Sequence, residues 1–263
     1  MKLKRIVSGT VLLAIVMLIL IFGNNIAVNM AISIVALISI NEYFNTFKAK
    51  NNVDKWIGNI LAISIAFINI IPKELIVLAL PTIIMLLFLK VIATDMKINL
   101  DDIAISAFGI FYIIGFIIFL PLLYSADNGK VLIWYLAIAA WGTDTFAYMI
   151  GCKFGKHKLT PISPKKSVEG SIGGTIGAVI LSLIYTYFIN RWGNIEISYL
   201  AITGISILLS ILAQMGDLAA SSIKRYIGIK DFSNLIPGHG GMLDRIDSIL
   251  FIAPVAYFLL TLI

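Results

Sequence analysis

Read for its hydrophobic and polar positions, the chain is a succession of long apolar runs separated by short polar breaks. Nine runs stand out, at about residues 6–22, 26–41, 56–71, 75–94, 103–124, 131–151, 171–189, 198–216 and 246–262. Each approaches the roughly 20 apolar residues that a helix needs to cross a hydrocarbon core of about 30 Å. The pattern predicts an all-α, polytopic integral membrane protein of about nine transmembrane helices. The first run has a basic start (Lys2, Lys4, Arg5). It meets no small-x-small cleavage site at Phe22-Gly23-Asn24-Asn25, and it leads straight into the next run, so it is expected to stay as the first span.

Composition agrees with the pattern. Sixty per cent of residues are hydrophobic, 13% are charged, and the mean hydropathy is +0.99, whereas soluble domains run about 45–50% apolar and about 25% charged. The single cysteine, Cys152, excludes an internal disulfide. No soluble domain, linker or internal repeat is visible. The organisation expected is residues 1–130 as N-terminal transmembrane helices and 131–263 as a catalytic transmembrane region, within one membrane unit.

The basic residues orient the spans. With the N-terminus in the cytoplasm, inside segments hold Lys2, Lys4, Arg5, Lys48, Lys50, Lys55, Lys90, Lys97, Lys153, Lys156, Lys158, Lys165, Lys166, Lys224, Arg225, Lys230 and Arg245. Outside segments hold only Lys73, Lys130 and Arg191. Seventeen against three predicts N-terminus inside and C-terminus outside by the positive-inside rule. The net charge of +6 therefore calls for no nucleic-acid partner.

Two inside segments, 141–174 and 213–247, are far more polar than topology requires. They carry Asp144, Asp217, Asp244 and Asp247. A carboxylate at the centre of a membrane helix costs about 2.5–3.5 kcal/mol on insertion scales, less toward the interface, and is tolerated where it pairs, binds metal or lines a wet cavity. Asp244 has Arg245 beside it, and an acid at a helix start suits the helix dipole. Asp144 and Asp217 have no basic residue one turn away, so local pairing does not explain them. Asp244 and Asp247, three apart, fall on one helix face. An oxygen-only ligand set suits Mg²⁺, and no Cys/His cluster favours zinc. Acids with Mg²⁺ point to phosphate chemistry.

The stretch Ser163-Pro164-Lys165-Lys166-Ser167-Val168-Glu169-Gly170 reads as a turn into a helix start, with Ser163 or Ser167 as N-cap. Helix N-termini and lysines both favour phosphate; Lys224, Arg225, Lys230 and Arg245 add positive charge. Gly170, Gly173, Gly174 and Gly177 have the spacing of close helix packing. Gly238-His239-Gly240-Gly241, after Pro237, falls between helices, where a loop lets backbone N–H groups approach a ligand. No G-x-S-x-G elbow and no G-x-x-x-x-G-K-[ST] loop is present, which excludes serine-hydrolase and P-loop readings.

The run SSIKRYIGIKDFSNLIPGHGGMLDRID, residues 221–247, resembles the signature of the phosphatidate cytidylyltransferases, or CDP-diacylglycerol synthases, without departure. KRIVSG near the start, WGTDTFAYMIG in the sixth span and SPKKSVEGSIGG before the seventh are similar to further family segments. Residues 24–130 carry only generic apolar spans. The resemblance implies an all-helical multi-span fold and the reaction of CTP with phosphatidate to CDP-diacylglycerol and pyrophosphate, for phospholipid biosynthesis. It also implies Mg²⁺, room for a second cation such as K⁺, a homodimer, and a site on the cytoplasmic side of the cell membrane. Carried onto this chain, it suggests Asp217, Asp244, Asp247 and Lys224 as catalytic. Asp144, Asp217, Asp244 and Asp247 would be the metal set. Lys165, Lys166, Glu169, Ser221, Ser222, Arg225, Lys230, His239, Gly240, Gly241 and Arg245 would hold substrate. The rival readings are the same transfer to an ether-linked or polyprenyl-type lipid phosphate and, from another class, a cation transporter. The latter expects acids near the bilayer midplane rather than gathered at one side.

Overall fold

The computed structural model describes residues 2–47, 55–95, 97–193 and 195–263; Lys48 and Lys50 of the charge pattern lie outside them. Among the described residues there are nine helical segments. These are α1 (Lys2–Phe22), α2 (Asn25–Phe47), α3 (Lys55–Phe67), α4 (Lys73–Ala93), α5 (Leu100–Ser125), α6 (residues 129–154), α7 (Val168–Trp192), α8 (Tyr199–Ile227) and α9 (Leu243–Leu260). Every apolar run of the sequence is a helix. Five of them (α2, α4, α5, α7 and α8) are long and apolar enough to cross a membrane. The protein is thus an all-α, multi-pass membrane protein.

The ends differ from the apolar runs where polar residues continue a helix. Segment α2 runs past residue 41 to Phe47, taking Glu42 into its interior. Segment α8 continues beyond residue 216 as one helix to Ile227. It stops where Gly228 takes a left-handed conformation (φ 83°) and its N–H meets the carbonyls of Lys224 and Arg225, the usual glycine C-cap. Segments α5 and α6 are each interrupted by a π-helical turn, at Ile110–Ile114 and Ile138–Gly142. Such turns re-aim the side chains that follow, and the second lies just before Asp144.

The chain forms two compact units. The first takes Met1–Ser125 and Asp231–Arg245; the second takes Ala126–Lys230 and Ile246–Ile263. In the first unit, α2 is the central helix, with Ala36, Ile40, Tyr43 and Phe44 almost wholly buried. The Tyr43 hydroxyl donates to the Ile105 carbonyl (3.2 Å) and that of Tyr124 to the Gly23 carbonyl (2.8 Å), tying α5 to α2 and to the end of α1.

In the second unit α6 and α7 pack at backbone distance. A Cβ on Gly177 would stand 2.2 Å from the Phe146 ring, one on Gly173 2.3 Å from Ile150, and one on Gly174 2.7 Å from the Thr143 carbonyl oxygen. The glycine spacing is therefore a packing device, as expected. The far side of α7 exposes Ile172, Ile176, Ile180 and Ile184 at every fourth position, an apolar stripe suited to lipid.

Candidate active site

The second unit builds a polar layer inside an apolar helix bundle. Helix α8 carries Ser210, Gln214, Asp217, Ser221 and Lys224 at spacings of four, three, four and three, which is one helical face. All but Asp217 are buried, and Lys224 is only 7% exposed. From this face a chain of hydrogen bonds crosses to the neighbours. Thr143 Oγ1 on α6 donates to Ser210 Oγ (2.7 Å), which donates to Thr175 Oγ1 on α7 (3.1 Å). Gln214 Nε2 donates to Thr175 Oγ1 (3.2 Å) and to the Ser171 carbonyl (3.3 Å), and Ser171 Oγ donates to Gln214 Oε1. The network locks three helices at the level of two predicted acids. Asp144 follows Thr143 in sequence, and Asp217 lies one turn beyond Gln214. None of these partners was expected to matter, although the α8 stripe is legible as a 3.6-residue polar period.

Asp217, half-buried, forms an ion pair with Lys166. The partner that no local neighbour supplies comes from the loop before α7. Ser167 caps α7 as expected, its side chain accepting from the Gly170 N–H (3.1 Å). The loop itself is shaped by backbone bonds: Leu159 N–H donates to the Lys166 carbonyl and Val168 N–H to that of His157, each at 2.9 Å. Glu169 then closes it, accepting from the Lys156 N–H (3.1 Å), the His157 N–H (3.3 Å) and His157 Nδ1 (2.6 Å). These bonds give Glu169 a clamping role within the loop. Lys165 is exposed beside it.

Asp247, 7% exposed, lies where α9 meets α8. A Cβ at Gly216 would stand 2.8 Å from the Asp247 carbonyl oxygen and 3.1 Å from Ser248 Cα. The backbone at Gly216–Asp217 is thereby laid against that at Asp247–Ser248. Ser222 donates to the Ala219 carbonyl (2.7 Å), and Arg225 Nη1 to that of Ile229 (2.9 Å); Lys230 is exposed.

The first unit holds the glycine-histidine loop. Ile236 N–H donates to the Gly240 carbonyl (2.8 Å) and His239 N–H to the Ile236 carbonyl (2.9 Å), closing a tight turn in which Gly238 and Gly240 have φ near +80°, a conformation favouring glycine. His239 Nδ1 stands 3.0 Å from Ser8 Oγ on α1, and Ser8 Oγ donates to the Pro237 carbonyl (2.9 Å). Asp244, 6% exposed, accepts through Oδ2 from the Phe232 N–H (2.9 Å) and the Gly241 N–H (3.0 Å). The Gly241 amide is thus engaged by protein, while Arg245 is exposed.

The same loop has an anchor that the apolar-run reading passed over. Glu42 of α2 is 6% exposed. Its Oε1 accepts from Ser233 Oγ (2.6 Å) and the Met242 N–H (2.9 Å), and its Oε2 from the Leu243 N–H (2.8 Å). Hydrogen bonds to an ionised group contribute about 1.5–3 kcal/mol each. The visible signal was a lone acid at the C-terminal end of an apolar run.

Among the described residues no group of three or more His, Cys, Asp or Glu is gathered so as to hold a metal ion alone. Asp217 and Asp247, whose backbones adjoin at the α8–α9 crossing, are of the donor type that suits Mg²⁺. That ion commonly takes one or two protein carboxylates and completes its shell with water and phosphate oxygens.

An all-helical membrane fold with buried acids, lysines and a glycine-histidine turn is the class of protein these features define. The family model described as the Cytidylyltransferase family matches residues 3–263, and the chain belongs to that family. Among its relatives, the phosphatidate cytidylyltransferase of Bacillus subtilis (strain 168) is 44% identical over 135 residues, covering 51% of this chain and 49% of that protein. The phosphatidate cytidylyltransferase of Staphylococcus aureus (strain COL) is 39% identical over 166 residues, 62% of this chain and 61% of that one. The chain therefore spans about half to three-fifths of the length of the relatives it matches.

Proposed function

We propose that the chain is a phosphatidate cytidylyltransferase, joining CTP and phosphatidate to give CDP-diacylglycerol and pyrophosphate. Its family and its relatives' shared name support the reading. The structural observation that carries it is the α8–α9 crossing, where Asp217, paired with Lys166, lies on the backbone adjoining Asp247.

In this reading Asp217 and Asp247 hold Mg²⁺, with Asp244 one turn earlier on α9 as the third acid and Asp144 as an orienting group. The ion, when bound, neutralises charge on the triphosphate. Lys166, Lys165, Lys224 and Arg225 are assigned to phosphate oxygens of CTP and lipid, and His239, Gly240 and Gly241 to the nucleotide. A phosphatidate oxygen attacks the α-phosphorus, the bond from that phosphorus to the β-phosphate bridge breaks, and pyrophosphate leaves. The lipid phosphate is already ionised at neutral pH, so positioning and charge neutralisation supply most of the rate. Nine spans with the N-terminus inside place this chemistry at the cytoplasmic interface, where CTP arrives by water and phosphatidate through the leaflet. A homodimer in the cell membrane completes the proposal.

The test is pyrophosphate release by purified protein given CTP, Mg²⁺ and phosphatidate, beside folded Asp244→Ala and Asp247→Ala. Release that needs both substrates and falls by about 10²-fold or more in each variant is expected. Release that proceeds without lipid, or survives both substitutions, overturns the reading. Ether-linked phosphatidate as acceptor tests the lipid specificity in the same assay.

A further inference from the structure

Glu42 is a buried carboxylate that the proposed chemistry does not use, and its bonds are all to one loop. Ser233 Oγ, Met242 N–H and Leu243 N–H reach it from residues 191 to 201 positions later in the chain. A Cβ at Gly241 would stand 2.5 Å from its Oε2, so the loop backbone lies directly on the carboxylate. Asp244 holds the same loop from the other side through the amides of Phe232 and Gly241. Two buried acids thus fix one segment, residues 232–243, between them. Asp244 is part of the segment's own helix start, whereas Glu42 belongs to α2 and is independent of it.

We infer that Glu42 is a positioning residue for the acidic site. It holds the 233–243 segment and the first turn of α9, and through them sets the direction of the Asp244 carboxylate. The carboxylate form is essential to this role, because all three partners are donors. A glutamine must turn its NH₂ toward either the Leu243 N–H or the pair from Ser233 and Met242, placing donor against donor. The inference rests on the proposed function for the identity of the ion that Asp244 serves.

The experiment uses the full chain in lipid nanodiscs. Mn²⁺ binding is followed by electron paramagnetic resonance, and pyrophosphate release is followed as a function of Mg²⁺. Glu42→Gln is expected to weaken Mn²⁺ binding about tenfold and to raise the half-saturating Mg²⁺ by a similar factor, leaving the KM for phosphatidate within twofold. Ser233→Ala, which removes one donor of three, shifts both in the same direction by a few-fold. The double variant is no worse than Glu42→Gln, because the serine acts only through the carboxylate. Glu42→Gln protein that is folded and binds Mn²⁺ like wild type overturns the inference. If that variant does not fold, wild-type Mn²⁺ binding by Ser233→Ala overturns it instead. Wild-type protein that binds no Mn²⁺ overturns it outright. Protein that binds Mn²⁺ but releases no pyrophosphate refutes the cytidylyl-transfer reading alone, and the Mn²⁺ comparison still decides the role of Glu42.

Discussion

Ser8 and His239, 231 positions apart, meet through a hydrogen bond of 3.0 Å between Oγ and Nδ1. The Ser8 hydroxyl also donates to the Pro237 carbonyl (2.9 Å), so one side chain ties both the imidazole and the loop backbone to α1. A Cβ at Gly9 would stand 3.0 Å from Cε1 of the ring, so the glycine beside Ser8 admits the imidazole. The sequence KRIVSG near the N-terminus thus serves a loop at the other end of the chain.

Ser8→Ala is expected to lower kcat/KM for CTP about three- to tenfold, the equivalent of losing a bond worth about 1 kcal/mol. Ser8→Thr, which keeps the hydroxyl, should retain most of the activity. Steady-state kinetics of the two variants check this; equal losses in both would remove the hydroxyl from the account.

The packing of α6 on α7 gives a controlled comparison. Gly177→Ala drives a methyl into the Phe146 ring, whereas Gly204→Ala on α8 meets no atom within 4 Å. Overpacking costs about 1–3 kcal/mol. The first variant should therefore unfold several degrees lower in detergent, and the second should match or slightly exceed wild type through helix propensity. Thermal unfolding of both proteins decides it.

The Lys166–Asp217 pair joins a lysine proposed to bind phosphate to an acid proposed to bind metal. Lys166→Ala is expected to reduce kcat/KM for CTP about 10²-fold, since it removes a cation and leaves Asp217 without its partner. Lys166→Arg should recover part of the loss, because charge is kept while reach and fork geometry change. Were arginine no better than alanine, a point charge at this position would not be its function.

Glu169 accepts three bonds from Lys156 and His157. Glu169→Ala is expected to open the 156–167 loop, seen as faster tryptic cleavage after Lys156 and Lys158, with KM for CTP rising severalfold as Lys165 and Lys166 lose their setting. Unchanged cleavage with raised KM would instead make Glu169 a direct substrate contact.

The sequence by itself determined the helices and their order, because burial in lipid demands an apolar run for every span and leaves the backbone no alternative to intrahelical bonding. It also marked Asp217, Asp244, Asp247, Lys166 and the glycine-histidine turn, since polar residues in apolar surroundings are conspicuous against that background. Ser167 as the α7 cap and the Gly173–Gly177 packing were legible too, being local or periodic. Only the tertiary structure decided the partners. Glu42 on the Leu243 amide, Ser8 on His239 and Lys166 on Asp217 each join residues 51 to 231 positions apart. A lone acid at the end of a span, a serine after a basic start and a lysine among lysines have the same local signature whether they anchor a site or face solvent. The difference lies in which donor or acceptor the fold brings to them, and buried polar groups are satisfied across space rather than along the chain.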